Sequence, residues 1–216
     1  MQRHYPPKPG FKILISIDLI QQEASKLNPD EQEAVLARVN WLNNARPNQI
    51  IPDGNDWSFC GALAGRGFGK TRMGAEWAWW QGWSMPKTRG AIIAPTRYDA
   101  QSVCIEGESG FLNRIPRSLI KAYNKSELKI TLINDTIVQA YSASEPDRLR
   151  GPQHHWAWCD ELAAWENGDE VWDMLQFGMR LGDNPQTVWT TTPRPTPMVR
   201  KIVNLPNTIL IRGSTF

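Results

Sequence analysis

A glycine-rich segment in the first third of the chain constrains the fold more than any other feature. Residues 61–77 read GALAGRGFGKTRMGAEW, in which an apolar run passes through a loop into a helical pattern that opens with Lys70 and Thr71. The loop glycines are Gly65, Gly67 and Gly69. Such a loop, between a strand and a helix, turns backbone N–H groups toward phosphates, while the lysine binds phosphate and the hydroxyl binds Mg²⁺. The segment therefore predicts a nucleotide phosphate-binding loop.

One position departs from the strict pattern GxxxxGK[ST], because Ala64 stands where the pattern asks for glycine. The neighbouring glycines partly compensate for this departure. A glycine-rich turn with an incidental Gly-Lys-Thr is the alternative interpretation, but the strand–loop–helix context favours the phosphate cradle. Arg66 lies inside the loop, where its guanidinium could contact a phosphate or sense its state within the same chain.

A second motif supplies the carboxylates that nucleotide hydrolysis requires. The segment HHWAWCDELAAW places Asp160 and Glu161 directly after an apolar run. Asp160 would hold Mg²⁺, and Glu161 would orient and deprotonate the attacking water. Side chains alternate in direction at a strand end, which allows two neighbouring acids to take different roles. An Asp-Glu pair alone is more often the start of a solvated loop, but together with the phosphate-binding loop it predicts ATP hydrolysis.

Two further features point to the same site. The strand-like run WTTTPRPTP contains Thr190, Thr191 and Thr192, whose hydroxyls could sense the γ-phosphate, although threonine is also simply a good strand residue before proline. Arg150, in DRLRGPQHH, precedes the Asp-Glu strand on a loop from which an arginine finger could reach a neighbour's nucleotide. Surface arginines are common, so position alone leaves that role open.

From residue 58 onward, short apolar runs alternate with helical patterns, which predicts an α/β fold with a mainly parallel sheet flanked by helices. The predicted strands are residues 58–64, 90–95, 155–160, 187–192 and 208–213. The predicted helices are residues 70–83, 97–111 and 169–181. The run LKITLINDTIVQAYSA predicts an antiparallel hairpin at the sheet edge, turning at Asn134 and Asp135.

The N-terminal part of the chain has a different pattern. Residues 11–44 read as helical, and Asn28 and Pro29 mark a helix start. The following run NARPNQIIPDGND reads as a linker. We therefore expect an N-terminal helical segment, residues 1–45, and an ATPase domain, residues 46–216.

Composition limits the other possibilities. The chain has 216 residues, of which 41% are hydrophobic, enough for one sizeable core. The net charge of +2 does not by itself indicate a nucleic-acid partner. The three cysteines lack the spacing of a zinc site and are predicted to be reduced core residues. No run approaches the roughly 20 apolar residues of a membrane span, and no signal peptide is apparent, so we expect a cytosolic protein with no membrane contact.

At LAGRGFGKTRMGAEW, LRGPQHHWAWCDELAAW and TTTP the sequence resembles the N-terminal ATPase domain of tailed-bacteriophage terminase large subunits. An arginine four places before the loop lysine, here Arg66, is a feature of that family. The resemblance covers roughly residues 41–216. It implies a P-loop NTPase fold of the additional-strand, catalytic-glutamate type. It also implies an ATPase that uses ATP and Mg²⁺ to move double-stranded DNA into a procapsid.

The resemblance implies further roles and partners. The segment ARPNQ occupies the place of an adenine-recognising segment, which makes Gln49 and Arg46 candidates for adenine contacts. A trans-acting arginine falls near Arg150. Family members form a homo-oligomeric ring, usually a pentamer, with the portal protein and small terminase subunit as partners, in the host bacterial cytoplasm and transiently on the procapsid. A nuclease domain would follow residue 216, and without ring partners we expect a monomer.

Three alternatives remain at this stage. A helicase-like DNA-dependent ATPase would need a second RecA-like lobe. A nucleotide kinase fits less well, because a catalytic glutamate serves water attack better than transfer to a held acceptor. The third alternative is a non-hydrolysing module that docks on the portal or on the small terminase subunit and needs no intact site. The presence of Lys70, Thr71, Asp160 and Glu161 argues against this alternative.

Overall fold

The computed structural model describes residues 24–213. The strands are β1 (Phe59–Ala64), β2 (Arg89–Ala94), β3 (Ile120–Asn124), β4 (Lys129–Leu132), β5 (Ile137–Ser142), β6 (Trp156–Cys159), β7 (Gln186–Thr191) and β8 (Thr208–Gly213). The helices are α1 (Pro29–Asn44), α2 (Lys70–Ser84), α3 (Arg97–Asp99), α4 (Gly168–Gly178) and α5 (Pro197–Ile202). Short 3₁₀ turns connect several of them, and α3 continues as the π-helix Ala100–Ile105.

The eight strands form one sheet in the order β3-β4-β5-β2-β6-β7-β1-β8. All pairings from β5 to β8 are parallel, whereas β3-β4 and β4-β5 are antiparallel. Strand β7 lies between β1, which leads into the phosphate-binding loop, and β6, which leads into Asp160. This inserted strand is the feature that defines the additional-strand type. Parallel strands end at the same sheet edge, so the three predicted motifs meet there.

Most predicted elements are confirmed. The five predicted parallel strands are found within one residue at either end, and β4 and β5 form the expected hairpin. Strand β5 also pairs in parallel with β2, so the hairpin continues the sheet, and β3 extends it by a strand that was not predicted.

The helix predicted over residues 97–111 is shorter than expected. The Thr96 hydroxyl caps it by accepting the Asp99 N–H at 3.1 Å, but the helical path ends at Ile105. A Cβ added at Gly107 would lie 2.6 Å from the Val103 carbonyl oxygen, so the backbone closes tightly at this end. The close approach that glycine permits therefore ends the helix early.

Helix α1 begins as predicted, with a capping box in which Asn28 and Glu31 each accept the other's backbone N–H. Residues 11–23 of the predicted helical stretch lie outside the described residues. Ala34 and Trp41 of α1 and Ile51 of the predicted linker belong to the same buried cluster as the sheet residue Cys60. Helix α1 therefore packs into the same core as one face of the sheet.

Tryptophan rings fill much of the space between sheet and helices. Trp156, Trp158 and Trp189 are completely buried on β6 and β7. Trp189 stands beside Gly61 in the adjacent strand, where an added Cβ would lie 1.9 Å from the indole. Glycine on one strand thus makes room for tryptophan on the next.

Within residues 24–213, none of the helices has the length and apolar character that a membrane span requires.

Candidate active site

Two glycines shape the phosphate-binding loop. Gly67 and Gly69 have φ angles of 80° and 89°, in the left-handed region where a Cβ costs about 1–2 kcal/mol. Ala64 does not need this freedom, because it is the last residue of β1, is buried, and lies outside the positive-φ region. The departure from the strict motif therefore falls on a strand residue whose methyl group packs in the core.

Lys70 connects the loop to the ends of the other two strands. Its ammonium donates to the carbonyl oxygens of Ala64 at 3.1 Å and Gly65 at 3.3 Å, and to the Thr192 hydroxyl at 3.2 Å. The same nitrogen lies 3.3 Å from Glu161 Oε1, and the Lys70 side chain is 6% exposed. A cation is thus fixed at the loop opening, where a phosphate would bind.

Asp160 and Thr71 meet as the motif analysis predicted. Asp160 Oδ2 lies 3.4 Å from the Thr71 hydroxyl, and Oδ1 accepts a hydrogen bond from the Thr190 hydroxyl at 2.6 Å. The backbone N–H of Asp160 donates to the Ile93 carbonyl of β2 at 2.8 Å. Both the backbone and the carboxylate of Asp160 are therefore fixed by neighbouring strands.

The oxygen pair of Asp160 and Thr71 fits Mg²⁺. Burial raises the pKa of Asp160 to about 6; the hydrogen bond from Thr190 opposes this and the charge of Glu161 adds to it. A cation would offset the cost of a buried carboxylate. No group of three His, Cys, Asp or Glu side chains in residues 24–213 could enclose a metal, but Mg²⁺ usually takes one or two carboxylates together with water and substrate phosphates.

Glu161 stands next to this pair, in an unusual backbone conformation. Its φ and ψ are 46° and 47°, a left-handed geometry for a residue with a Cβ. Its carboxylate accepts from Thr192 N–H at 3.2 Å and contacts the Thr192 hydroxyl at 3.3 Å. The side chain is 36% exposed, in contrast to the buried Asp160. Glu161 is thus the carboxylate that water can reach.

The three threonines at the end of β7 make different contacts. Thr190 is buried and binds Asp160, and Thr191 is buried and accepts from Ala163 N–H at 3.0 Å. Thr192 alone among them contacts both Lys70 and Glu161. The sequence motif predicted the same sensing role for all three threonines, whereas in the structure only Thr192 lies between Lys70 and Glu161.

The predicted adenine-contacting residues lie against the loop from the other side. Arg46 Nη2 and Gln49 Nε2 each donate to the Phe68 carbonyl at 2.6 Å, and the Arg46 guanidinium lies 4.9 Å from the Phe68 ring centroid. Gln49 ends the 3₁₀ turn Pro47–Gln49. Both residues are thus adjacent to the loop, where a base could be reached.

The two remaining predicted arginines are exposed. Arg66 is exposed on the loop and, within the described part of the chain, forms no hydrogen bond or ion pair. Arg150 pairs with Asp147 at 3.1 Å and lies 4.0 Å from Glu170 at the start of α4. Its contacts are therefore with these acids and not with the loop of its own chain.

Three residues around Asp160 were not predicted. The Cys104 thiol lies 3.6 Å from Asp160 Oδ2, and the Trp165 indole N–H donates to the Asp160 carbonyl oxygen at 3.0 Å. The Trp158 indole N–H donates to the Thr190 hydroxyl at 3.2 Å. No local signal could have identified them, because each contact depends on how separate segments pack.

The chain is similar to one family model and to several solved structures. Residues 62–206 match the family model described as terminase large subunit, T4likevirus-type, N-terminal. No curated protein is significantly similar. Among solved structures, the chain is similar to the large terminase ATPase domain of Thermus phage P74-26, with 16% identity, a TM-score of 0.61, and coverage of 76% of this chain and 81% of that one.

Two longer proteins are also similar in fold. The HK97 bacteriophage large terminase has 17% identity and a TM-score of 0.59, with 85% of this chain and 38% of that one covered. The large terminase of a thermophilic bacteriophage, solved in complex with ADP, has 16% identity and a TM-score of 0.57, with 82% and 44% covered. The chain thus spans less than half of either of these proteins.

Proposed function

The chain belongs to the terminase large-subunit family through its N-terminal ATPase domain, and on that premise we propose that the site described above hydrolyses ATP with Mg²⁺ to drive double-stranded DNA into a procapsid. One observation carries the proposal: Lys70, Thr71, Asp160 and Glu161 converge at one edge of the sheet. A module that only docks on a partner would not need these four side chains to lie together.

Each residue has a separate task in the proposed reaction. Loop amides from Gly65, Gly67 and Gly69 and the Lys70 ammonium bind the phosphates. Glu161, which is exposed enough to meet water and is held by Thr192, orients the water and accepts its proton as the water attacks the γ-phosphorus. The bond from this phosphorus to the β–γ bridging oxygen breaks, and ADP and phosphate are released. Thr192 contacts both Lys70 and Glu161, which supports a role for the threonine motif, Thr190 to Thr192, in coupling phosphate loss to movement.

Asp160 and Thr71 would hold the metal ion. When bound, Mg²⁺ neutralises charge on the β- and γ-phosphates. Arg66, exposed on the loop, would sense or stabilise the γ-phosphate. Arg46 and Gln49 lie against the loop at Phe68 and would contact adenine through donors that they now direct at a backbone carbonyl. The complex of a structural relative with ADP is consistent with such a site.

The assembly is proposed from the family. A homo-oligomeric ring, with five subunits the expected number, would act on the portal protein with the small terminase subunit, in the host bacterial cytoplasm. Arg150 is exposed and contacts Asp147 and Glu170 rather than its own loop, which suits a residue that completes a neighbour's site. We place the domain boundary near residue 46, with an N-terminal helical segment before it, and expect the chain to be monomeric outside the ring.

Replacement of Lys70 tests the phosphate cradle. We expect Lys70→Ala to lose both ATP binding, measured by isothermal titration calorimetry, and hydrolysis, measured as phosphate release. Lys121→Ala is the matched control, because Lys121 lies on the edge strand β3 and pairs with Asp135. Tight Mg²⁺-ATP binding by Lys70→Ala, at the affinity of the native chain, would contradict the proposed site.

A further inference from the structure

Thr190 occupies a place that its sequence motif does not explain. It is completely buried, whereas a residue that contacts the γ-phosphate must reach the loop opening. Its hydroxyl oxygen lies 2.6 Å from Asp160 Oδ1, and the Cys159 carbonyl is farther away, at 3.3 Å. The short contact marks the carboxylate as the acceptor of its single proton.

The direction of these hydrogen bonds is fixed by chemistry. An indole N–H can only donate, and an ionised carboxylate can only accept. The Trp158 indole N–H, 3.2 Å from the Thr190 oxygen, therefore donates to the hydroxyl, which leaves the hydroxyl proton for Asp160. A fully buried relay runs from Trp158 through Thr190 to Asp160.

The relay packs against the helix that follows the phosphate-binding loop. Gly74 of α2 lies against the Trp158 ring, since a Cβ added there would be 2.2 Å from Trp158 Nε1 and Cε2. Gly74 is three residues after Thr71, the other proposed Mg²⁺ ligand, on the same helix. The helix that carries one ligand thus sets the position of the ring that orients the other.

From this geometry we infer that Thr190 and Trp158 are positioning residues for the metal site: they hold the Asp160 carboxylate in the orientation that binds Mg²⁺. The inference rests on the proposed function, because it concerns the same Asp160. Thr190 acts here through Asp160, while contact with the loop lysine and the glutamate falls to Thr192.

The inference is tested by removing the hydroxyl and measuring metal-dependent nucleotide binding. ATPγS binding is measured by calorimetry in EDTA and across a range of Mg²⁺ concentrations for the native chain, Thr190→Val and Thr190→Ser. The matched control is Thr187→Val, which changes an equally buried threonine of β7 outside the relay.

We expect Thr190→Val to raise the half-saturating Mg²⁺ concentration roughly 10- to 100-fold, the usual effect of losing a contact that supports a metal ligand. Its affinity for ATPγS in EDTA should be unchanged. Thr190→Ser should restore Mg²⁺ dependence, and Thr187→Val should leave it unchanged. Trp158→Phe, which keeps a smaller aromatic ring but removes the indole N–H, should shift the Mg²⁺ dependence in the same direction. This variant serves as the test if Thr190→Val does not fold.

Native Mg²⁺ dependence in both Thr190→Val and Trp158→Phe would overturn the inference while leaving the proposed function intact. An equal loss of affinity in EDTA and in Mg²⁺ would also overturn it, because the change would then not be specific to the metal. Failure of the proposed function has a different signature: the native chain would bind no nucleotide in either buffer, and both proposals would fall.

Discussion

Glu161 shows how neighbouring residues hold a single side chain in place for its proposed task. Its left-handed backbone, with φ at 46°, costs about 1–2 kcal/mol for a residue with a Cβ. Hydrogen bonds from Thr192 and the ion pair with Lys70 hold the side chain in place. The strained turn directs Glu161 toward the loop while Asp160, one residue earlier, stays buried in the sheet. Adjacent acids thus acquire different environments.

The charge state of His154 links the stability of the fold to pH. It is 3% exposed, and neither ring nitrogen has a hydrogen-bond partner among the described residues. Burial, together with the smaller effects of the Arg89 and His155 charges, lowers the pKa of His154 from 6.5 to about 4. The unfolded chain therefore binds this proton more readily than the folded chain between these two pH values.

We predict that His154→Leu flattens the acid side of the stability profile. As the pH falls through 6.5 toward 4, the native chain should lose about 3 kcal/mol of unfolding free energy through this group. Asp160, whose pKa is raised, acts in the opposite direction in both proteins and cancels in the comparison. Urea denaturation at pH 7 and pH 4.5 measures the difference, and parallel profiles for the two proteins would refute the assignment.

At the scale of elements, tryptophan–glycine pairs fix how neighbouring strands and helices approach. Gly61 of β1 is in register with Trp189 of β7, and Gly74 of α2 faces Trp158 of β6. These contacts lie at and next to the strands that end in the site, so the same packing that fills the core sets the spacing of the loop, Asp160 and the threonine motif.

We predict that Gly61→Ala destabilises the protein by about 1–3 kcal/mol, the usual cost of overpacking. The added Cβ would meet the Trp189 indole at 1.9 Å. Trp189→Phe removes the clashing ring atoms, so the double variant should be less destabilised than the sum of the single variants in chemical denaturation. Strict additivity would mean that the two side chains do not interact.

The parts of this site that the sequence predicts are those encoded in contiguous residues. The loop glycines, Lys70 and the Asp160–Glu161 pair each sit in a local pattern with a known physical task, and the alternation of strands and helices predicts that they meet. The relay through Trp158 and Thr190 is not predictable in this way, because it depends on the register between β6 and β7. The early end of the helix at Ile105 depends likewise on local backbone packing around Gly107.

At the scale of the whole molecule, Arg150 is exposed and contacts Asp147 and Glu170 rather than the phosphate-binding loop of its own chain. An exposed arginine on the loop that precedes β6 is available to a neighbour. The proposed ring would then complete each site between two subunits, whereas an isolated chain would lack this residue at the γ-phosphate.

We predict that ATP hydrolysis per subunit rises with protein concentration and that Arg150→Ala abolishes the rise. Arg148→Ala is the matched control, since Arg148 is also exposed and likewise pairs with an acid three residues before it, Glu145. The rate of phosphate release per subunit, measured across a wide range of protein concentration, tests this prediction. Activity that is independent of concentration and of Arg150 would refute completion of the site between subunits.

The central claim, that Glu161 activates water beside a phosphate-binding loop, is tested most directly by single-turnover hydrolysis of Mg²⁺-ATP. Glu161→Gln should bind ATP with nearly native affinity and hydrolyse it at least roughly 100-fold more slowly, the lower range for loss of a general base. Glu166→Gln, a change at an exposed carboxylate five residues away, should be as active as the native chain. Hydrolysis by Glu161→Gln at the native rate would contradict the account.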